Sequence, residues 1–309
     1  MIASDSNPWP ELPYPEWKET CETLHLWTQV VGKVRLALTP WLNHSWHVPF
    51  YVNARGLTTS PIYYGDRALE IVFDFNRHVL EISTSEGWQS RLVLEPRAVA
   101  EFFEMVMAEL CKAGVHVKID DHPCEIPDAI PFSRDRVHAA YDRDFAHRFW
   151  KALLQADRVL KQFRTGFIGK CSPVHFFWGS FDLAVTRFSG RRAPQHPGGV
   201  PGLPDAVVRE AYSHEVSSAG FWPGSGSIDY PAFYSYAYPL PIHSPADSER
   251  RRSNQAPRFS VPNCKSFYCR MTRSEPTTTL MRRFLPSCNR LTKPPPKMET
   301  GTGLPWNVR

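Results

Sequence analysis

An α+β fold, with long amphipathic helices packed on antiparallel sheet, is the class this sequence predicts. Two patterns carry it. Long stretches with apolar residues every three or four positions read as helices, and short aromatic or β-branched runs between turn residues read as strands. A third observation sets the scale. The chain has 309 residues, 42% hydrophobic and 22% charged, which is enough to build a buried core.

The elements follow in order. Pro8, Pro10, Pro13 and Pro15 hold an extended, aromatic start with Trp9, Tyr14 and Trp17. Glu16–Leu38 reads as a helix on Leu24, Trp27, Val31, Val34 and Leu38, and Pro40 stops it. Pro40–Pro49 is a loop. Strands are expected at Phe50–Ala54, Ala68–Phe75, Val79–Thr84 and Gln89–Leu94, parted by Gly65-Asp66, Asn76-Arg77 and Glu86-Gly87. A helix from Glu95-Pro96 to Cys111 follows, closed by Gly114, and then a strand at Val115–Ile119. Pro123–Pro131 is a connector. The second half opens with a helix over Asp142–Phe167, and strands follow at Val174–Trp178 and Phe181–Phe188. A Pro- and Gly-rich loop, a short helix near Pro204–Tyr212, and strands at His214–Gly220 and Ala232–Tyr238 complete it.

These elements make one α+β domain over residues 1–246. Its halves, 9–122 and 132–240, each set a long helix before aromatic strands opened by a histidine. That pattern fits a duplicated unit, although two unrelated helix–strand starts would look alike too.

The net charge of +5 misdescribes this domain. Asp247–Arg309 holds 13 basic and 4 acidic residues, which leaves the preceding segment at −4. Nucleic acid is therefore not an expected partner of the body. No run approaches the length of a membrane span, and the N-terminus lacks the basic and apolar regions of a signal, so no membrane partner is expected. Cys21, Cys111, Cys124 and Cys171 are scattered, which fits reduced thiols and a cytoplasmic location.

Residues 247–309 show neither helical nor strand periodicity and read as a disordered basic tail. Their codons suggest an origin. Read one base out of phase, Asn263–Ser274 can encode a strand-like segment ending in LPYD, and Thr292–Met298 a helix-forming one. A frameshift near Asp247–Arg252 accounts for both.

The strong chemical signatures are missing. There is no HExxH and no CxxC, and Gly166–Ser172 has Arg164 where a phosphate loop needs glycine. The 12 histidines supply the candidates instead. His175 opens an aromatic strand with Asp182 on the next, and His214-Glu215 opens another. Imidazole with carboxylate suits general acid–base work, so these four are the candidate catalytic residues. Candidate ligand contacts are His47, Arg55, Arg187, Trp178 and Tyr236. Arg187 lies inside an apolar strand, where it needs a partner, and Asp182 or Glu215 could serve. Tyr234, Tyr236 and Tyr238 alternate on one strand face, a fitting wall for a small molecule. No metal-ligand set is assigned, and no cofactor is named by the spacing.

The blocks Trp9–Tyr14, His25–Gln29, Ala54–Thr59 and above all Gly169–Arg191 (GKCSPVHFFWGSFDLAVTRFSGR) resemble a bacterial family of uncharacterised proteins, a domain of unknown function. The likeness runs from Trp9 to Tyr238. It implies one continuous domain and no activity, cofactor or catalytic residue. The family's pattern goes on to a strand ending like LPYD and a closing helix, and this chain departs from it in the tail.

The reading of function is a small-ligand-binding or enzymatic pocket lined by His, Arg, acidic and aromatic residues. A metal-dependent hydrolase and a non-catalytic interaction module are the alternatives. For the tail, sequencing the coding DNA is the check. A one-base shift that restores an open strand–helix segment is expected, and no such frame would dismiss the frameshift.

Overall fold

Proline at the second helical position pre-sets the first turn of α1 (Tyr14–Leu38), whose N-cap Pro13 is extended. Every residue from Leu26 to Arg35 is buried. That stretch is covered on all sides and lies in the core, while Glu16, Lys18 and Glu19 before it and Leu36 and Ala37 after it are exposed. The computed structural model describes residues 8–225 and 228–239, with the backbone of 267–270.

The first sheet follows α1. Its strands are β1 (Tyr51–Val52), β2 (Gly56–Thr58), β3 (Ile62–Tyr64), β4 (Arg67–Asp74), β5 (Val79–Thr84) and β6 (Gln89–Val93). All pairs are antiparallel in the order β1-β2-β4-β5-β6, and β3 also pairs with β4. Helix α2 (Val99–Lys112) buries Val99, Phe102, Val106 and Leu110. Phe102 stacks on Trp27 of α1 at 4.6 Å between ring centroids.

The second sheet follows α3 (Arg143–Thr165), whose N-cap Asp142 accepts a hydrogen bond from the Phe145 amide at 3.0 Å. It contains β7 (His175–Phe177), β8 (Asp182–Arg192), β9 (His214–Trp222), β10 (Ala232–Tyr238) and β11 (Phe267–Arg270), in the antiparallel order β11-β10-β9-β8-β7. Helix α4 (Asp205–Ala211) lies between β8 and β9 in the chain. The two sheets meet where Phe50 and Phe176 exchange backbone hydrogen bonds of 2.9 Å. One hydrophobic cluster, from Trp9 to Phe233, runs through both.

The α+β class is as the sequence predicts, with two local corrections. β2 and β3 were not anticipated, because Gly56, Pro61 and Gly65 break their pattern. Val115–Ile119 is not a strand. Val115 and Ile119 are buried, but alternation reports burial of one side and does not supply a ladder partner. Most of the segment expected to be a disordered tail, 247–309, lies outside the described residues. Within that segment the backbone of Phe267–Arg270 pairs with β10.

Phe176 is fully buried at the junction and packs on Phe50, Phe149 and Phe181. Phe176→Ala should lower stability by about 3–5 kcal/mol in urea unfolding, with Phe176→Leu costing less. A loss under ~1 kcal/mol would contradict this packing role.

Candidate functional site

Strand parity builds the site. On β8, Leu183, Val185 and Arg187 point one way, and Asp182, Ala184, Thr186 and Phe188 the other. The first set faces α3, where the Arg187 guanidinium lies 3.4 Å from the centroid of the Phe163 ring. The second set faces a cavity of about 170 Å³. Its floor is made of small side chains, Ala184, Thr186 and Ser218, flanked by the large Phe188, Tyr234 and Tyr236. His44 and Trp46 from the 43–45 turn, with Tyr212 after α4, cover it. His175, Phe177 and Ser180 close one side.

Gly220 makes the central contact possible. In register it sits between Ala184 on β8 and Tyr234 on β10. A Cβ there would lie 2.2 Å from the Tyr234 ring. The bare backbone lets that ring cross β9, so the Tyr234 hydroxyl donates to Asp182 Oδ2 on β8. Ser180 Oγ donates to Asp182 Oδ1. Burial pushes the Asp182 carboxyl above its ordinary range, against the pull of these two donors. Burial and the neighbouring Asp182 push the Tyr234 hydroxyl well up, so it stays a donor.

Both cavity imidazoles are held neutral. Burial, with Arg35 and Arg164 adding, brings His175 down to about 3. Burial also lowers His44, with Lys170 helping. His175 Nδ1 lies 3.5 Å from the Tyr51 hydroxyl. Among the described residues, His175 Nε2 and His44 Nδ1 are buried without a hydrogen-bond partner. Such atoms cost about 1–3 kcal/mol each unless something else meets them.

The cover is held in an uncommon conformation. His44 and Ser45 are both left-handed, at φ 60° and 57°. Glu210 of α4 fastens it, accepting from the His44 amide at 3.2 Å and the Trp41 indole at 3.0 Å.

A second acid stands behind the first. Gln29 of α1 exchanges hydrogen bonds of 2.8 and 2.9 Å with the Cys124 backbone. His25 contacts the Gly179 carbonyl at 2.8 Å and is pushed down to about 4 by burial. This clip sets Glu125 against Gly179, where a Cβ would lie 2.2 Å from Glu125 Oε1. Burial first, and Asp182 second, raise the Glu125 carboxyl to about 7.

Of the sequence candidates, His175, Asp182 and Tyr236 line the cavity. The others are placed elsewhere. Arg187 does not pair with Asp182 or Glu215. Five residues separate Arg187 from Asp182, so parity puts them on opposite faces, and Arg187 donates to the Phe163 carbonyl. His214 and Glu215 sit at the start of β9. His214 meets Ser213 at 3.1 Å, and Glu215 pairs with Arg191 and Ser189. His47 accepts from the Leu42 amide at 3.2 Å and packs on Trp41. Trp178 lies over Gly32 of α1 and donates to the Val48 carbonyl at 2.9 Å. Arg55 joins Asp74 and Glu81 on the first sheet. The sequence reading missed His44, Trp46, Tyr234 and the small floor. A glycine inside β9 facing serine, threonine and alanine was the signal that could have found the floor.

The described residues contain no group of three His, Cys, Asp or Glu placed to hold a metal ion, and no helix long and apolar enough to cross a membrane. The arrangement is that of an α+β protein with a small, polar and aromatic cavity on the outer face of a sheet. The chain belongs to a family described as a family of unknown function (DUF5996), whose model matches residues 9–262. No curated protein and no solved structure matches it.

The Glu125 environment gives a signed pH effect. A carboxyl raised on folding binds its proton more tightly folded than unfolded. Its contribution is complete below the ordinary value of 4.5 and is lost as pH rises through about 7. Urea midpoints should therefore fall across that window in the wild type relative to Glu125→Gln. Parallel curves for the two proteins would contradict the buried setting of this acid.

Proposed function

We propose that the protein binds a small molecule in the cavity between the second sheet and the 43–45 turn. The observation that carries this reading is the convergence of Asp182, His175, Thr186, Ser218 and Tyr236 with aromatic rings on one hollow of about 170 Å³. The volume supports a ligand about the size of one six-membered ring, since an engineered cavity of ~150 Å³ holds benzene. Mixed walls support a molecule with both apolar surface and hydrogen-bonding groups. The carboxyl of Asp182, the imidazole of His175 and the Tyr236 hydroxyl are the polar groups expected to orient it.

Neither alternative is favoured by a specific observation. A metal-dependent hydrolase would need ligands that converge. An interaction module would need a continuous apolar surface, and the exposed large apolar side chains, such as Trp41, Tyr63, Val137 and Ile168, come from separate segments.

Ligand-observed NMR with a library of single-ring fragments tests the reading. Hits should bind the wild type and lose binding in Ala184→Leu, which fills the floor, while the variant keeps its far-UV circular dichroism. Hits that bind both proteins equally would place the ligand elsewhere and overturn the reading.

A further inference from the structure

We propose that residues 40–46 form a hinged lid over the cavity, latched shut by the Glu210 carboxylate of α4. This rests on the reading of the cavity as a ligand site and adds the route by which a ligand enters and leaves.

The bonding of this segment is the first argument. Both of its ends are anchored. The Thr39 amide donates to the Arg35 carbonyl at 3.0 Å, which closes α1. At the far end the His47 carbonyl accepts from buried Arg35 at 2.8 Å, and the Val48 carbonyl accepts from the Trp178 indole at 2.9 Å. Between the anchors lies one short turn, Asn43–Ser45. Among the described residues, the hydrogen bonds that leave 40–46 for a distant part of the chain all end on one side chain. Glu210 accepts from the His44 amide at 3.2 Å and from the Trp41 indole at 3.0 Å.

Backbone conformation is the second argument. His44 and Ser45 are consecutive left-handed residues that both carry side chains. Such a pair is disfavoured by sterics and persists where surrounding contacts hold it. The contact at this point is the Glu210 bond to the His44 amide. Release of that bond lets the turn relax, so the closed state is the one that needs a latch. Trp41 and Leu42 on the outer surface are 53% and 54% exposed, so little packing opposes their movement.

Position is the third argument. The floor of the cavity belongs to β8 and β9, which part only by breaking ladder bonds. The cover comes from His44 and Trp46 of this segment, with Tyr212 after α4. Trp46 is the plug. Its ring centroid lies 5.8 Å from that of His175 and 5.9 Å from that of Phe188, with the Lys170 ammonium 5.2 Å away. These are ordinary aromatic spacings, which re-form on closure. A swing about Thr39 and His47 withdraws Trp46 from the mouth and leaves both anchors in place.

Hydrogen exchange and the binding kinetics of the single-ring fragment hits, compared between wild type and Glu210→Ala, test the lid. Exchange at the amides of 41–47 should rise at least ~10-fold in the variant, as expected for loss of two hydrogen bonds to a carboxylate, while the amides of β9 stay protected. Fragment association and dissociation should quicken together by a similar factor, with the dissociation constant changed less than ~3-fold. Glu210→Gln keeps the shape and loses the charge, and should fall between the two. Should Glu210→Ala not fold, Glu210→Gln carries the same comparison. Equal exchange at 41–47 in wild type and variant overturns the latch, whatever the fragments do. Faster exchange with unchanged fragment kinetics overturns the segment as the entrance. If no fragment binds, the ligand reading itself fails, and exchange alone decides the latch.

Discussion

Burial on every side of the middle of α1, from Leu26 to Arg35, is the constraint from which the rest follows. A helical stretch with no wet face must satisfy each of its polar side chains inside the protein, at a cost of about 1–3 kcal/mol for any left unmet. Gln29, Lys33 and Arg35 are all buried. Gln29 holds the Cys124 backbone, and Lys33 reaches Asp120 at 2.7 Å. Arg35 donates to the His47 carbonyl at 2.8 Å and to the Thr59 carbonyl. These partners all lie in loops. One loop carries Glu125, and another carries the His44 cover. The requirement to satisfy the middle of one helix thus helps to fix both the back and the roof of the cavity.

The second sheet supplies the hollow itself by a contrast in side-chain size. Alanine, threonine, serine and glycine on the outer face of β8 and β9 leave space that Tyr234, Tyr236 and Phe188 surround. The inner face is filled by Leu183, Val185 and Phe221. A close-packed interior tolerates few voids, and one lined by polar groups is a feature the sequence must specify. Here it is specified with the same residues that organise the charge. Tyr234 reaches Asp182 only because Gly220 lacks a side chain, so the shape of the floor and the setting of the acid are one structural fact.

Much of the fold is legible in the sequence, because helix and strand periods report burial directly. Ala232–Tyr238 is a strand over the same residues in both, and α3 differs from its expectation by one residue at the start and two at the end. The site is legible only where parity within one strand decides it. His175, Asp182 and Tyr236 fall on the cavity side because their strands alternate. Arg187, for which Asp182 or Glu215 is the expected partner, lies an odd step from Asp182 and so faces α3 and Phe163. Trp178 and Arg55 are taken up by the packing of α1 and by the ion pairs of the first sheet, which are contacts between segments far apart in the chain. His44 depends on two consecutive left-handed residues without glycine, a conformation that tertiary contacts with Glu210 impose and that no local pattern announces.

A high-resolution crystal structure, inspected for density inside the cavity, tests the central claim most directly. The account predicts ordered solvent or ligand density inside the cavity, with the Tyr234 hydroxyl still on Asp182. A collapsed site, with Trp46 or Phe188 filling the space, would contradict it.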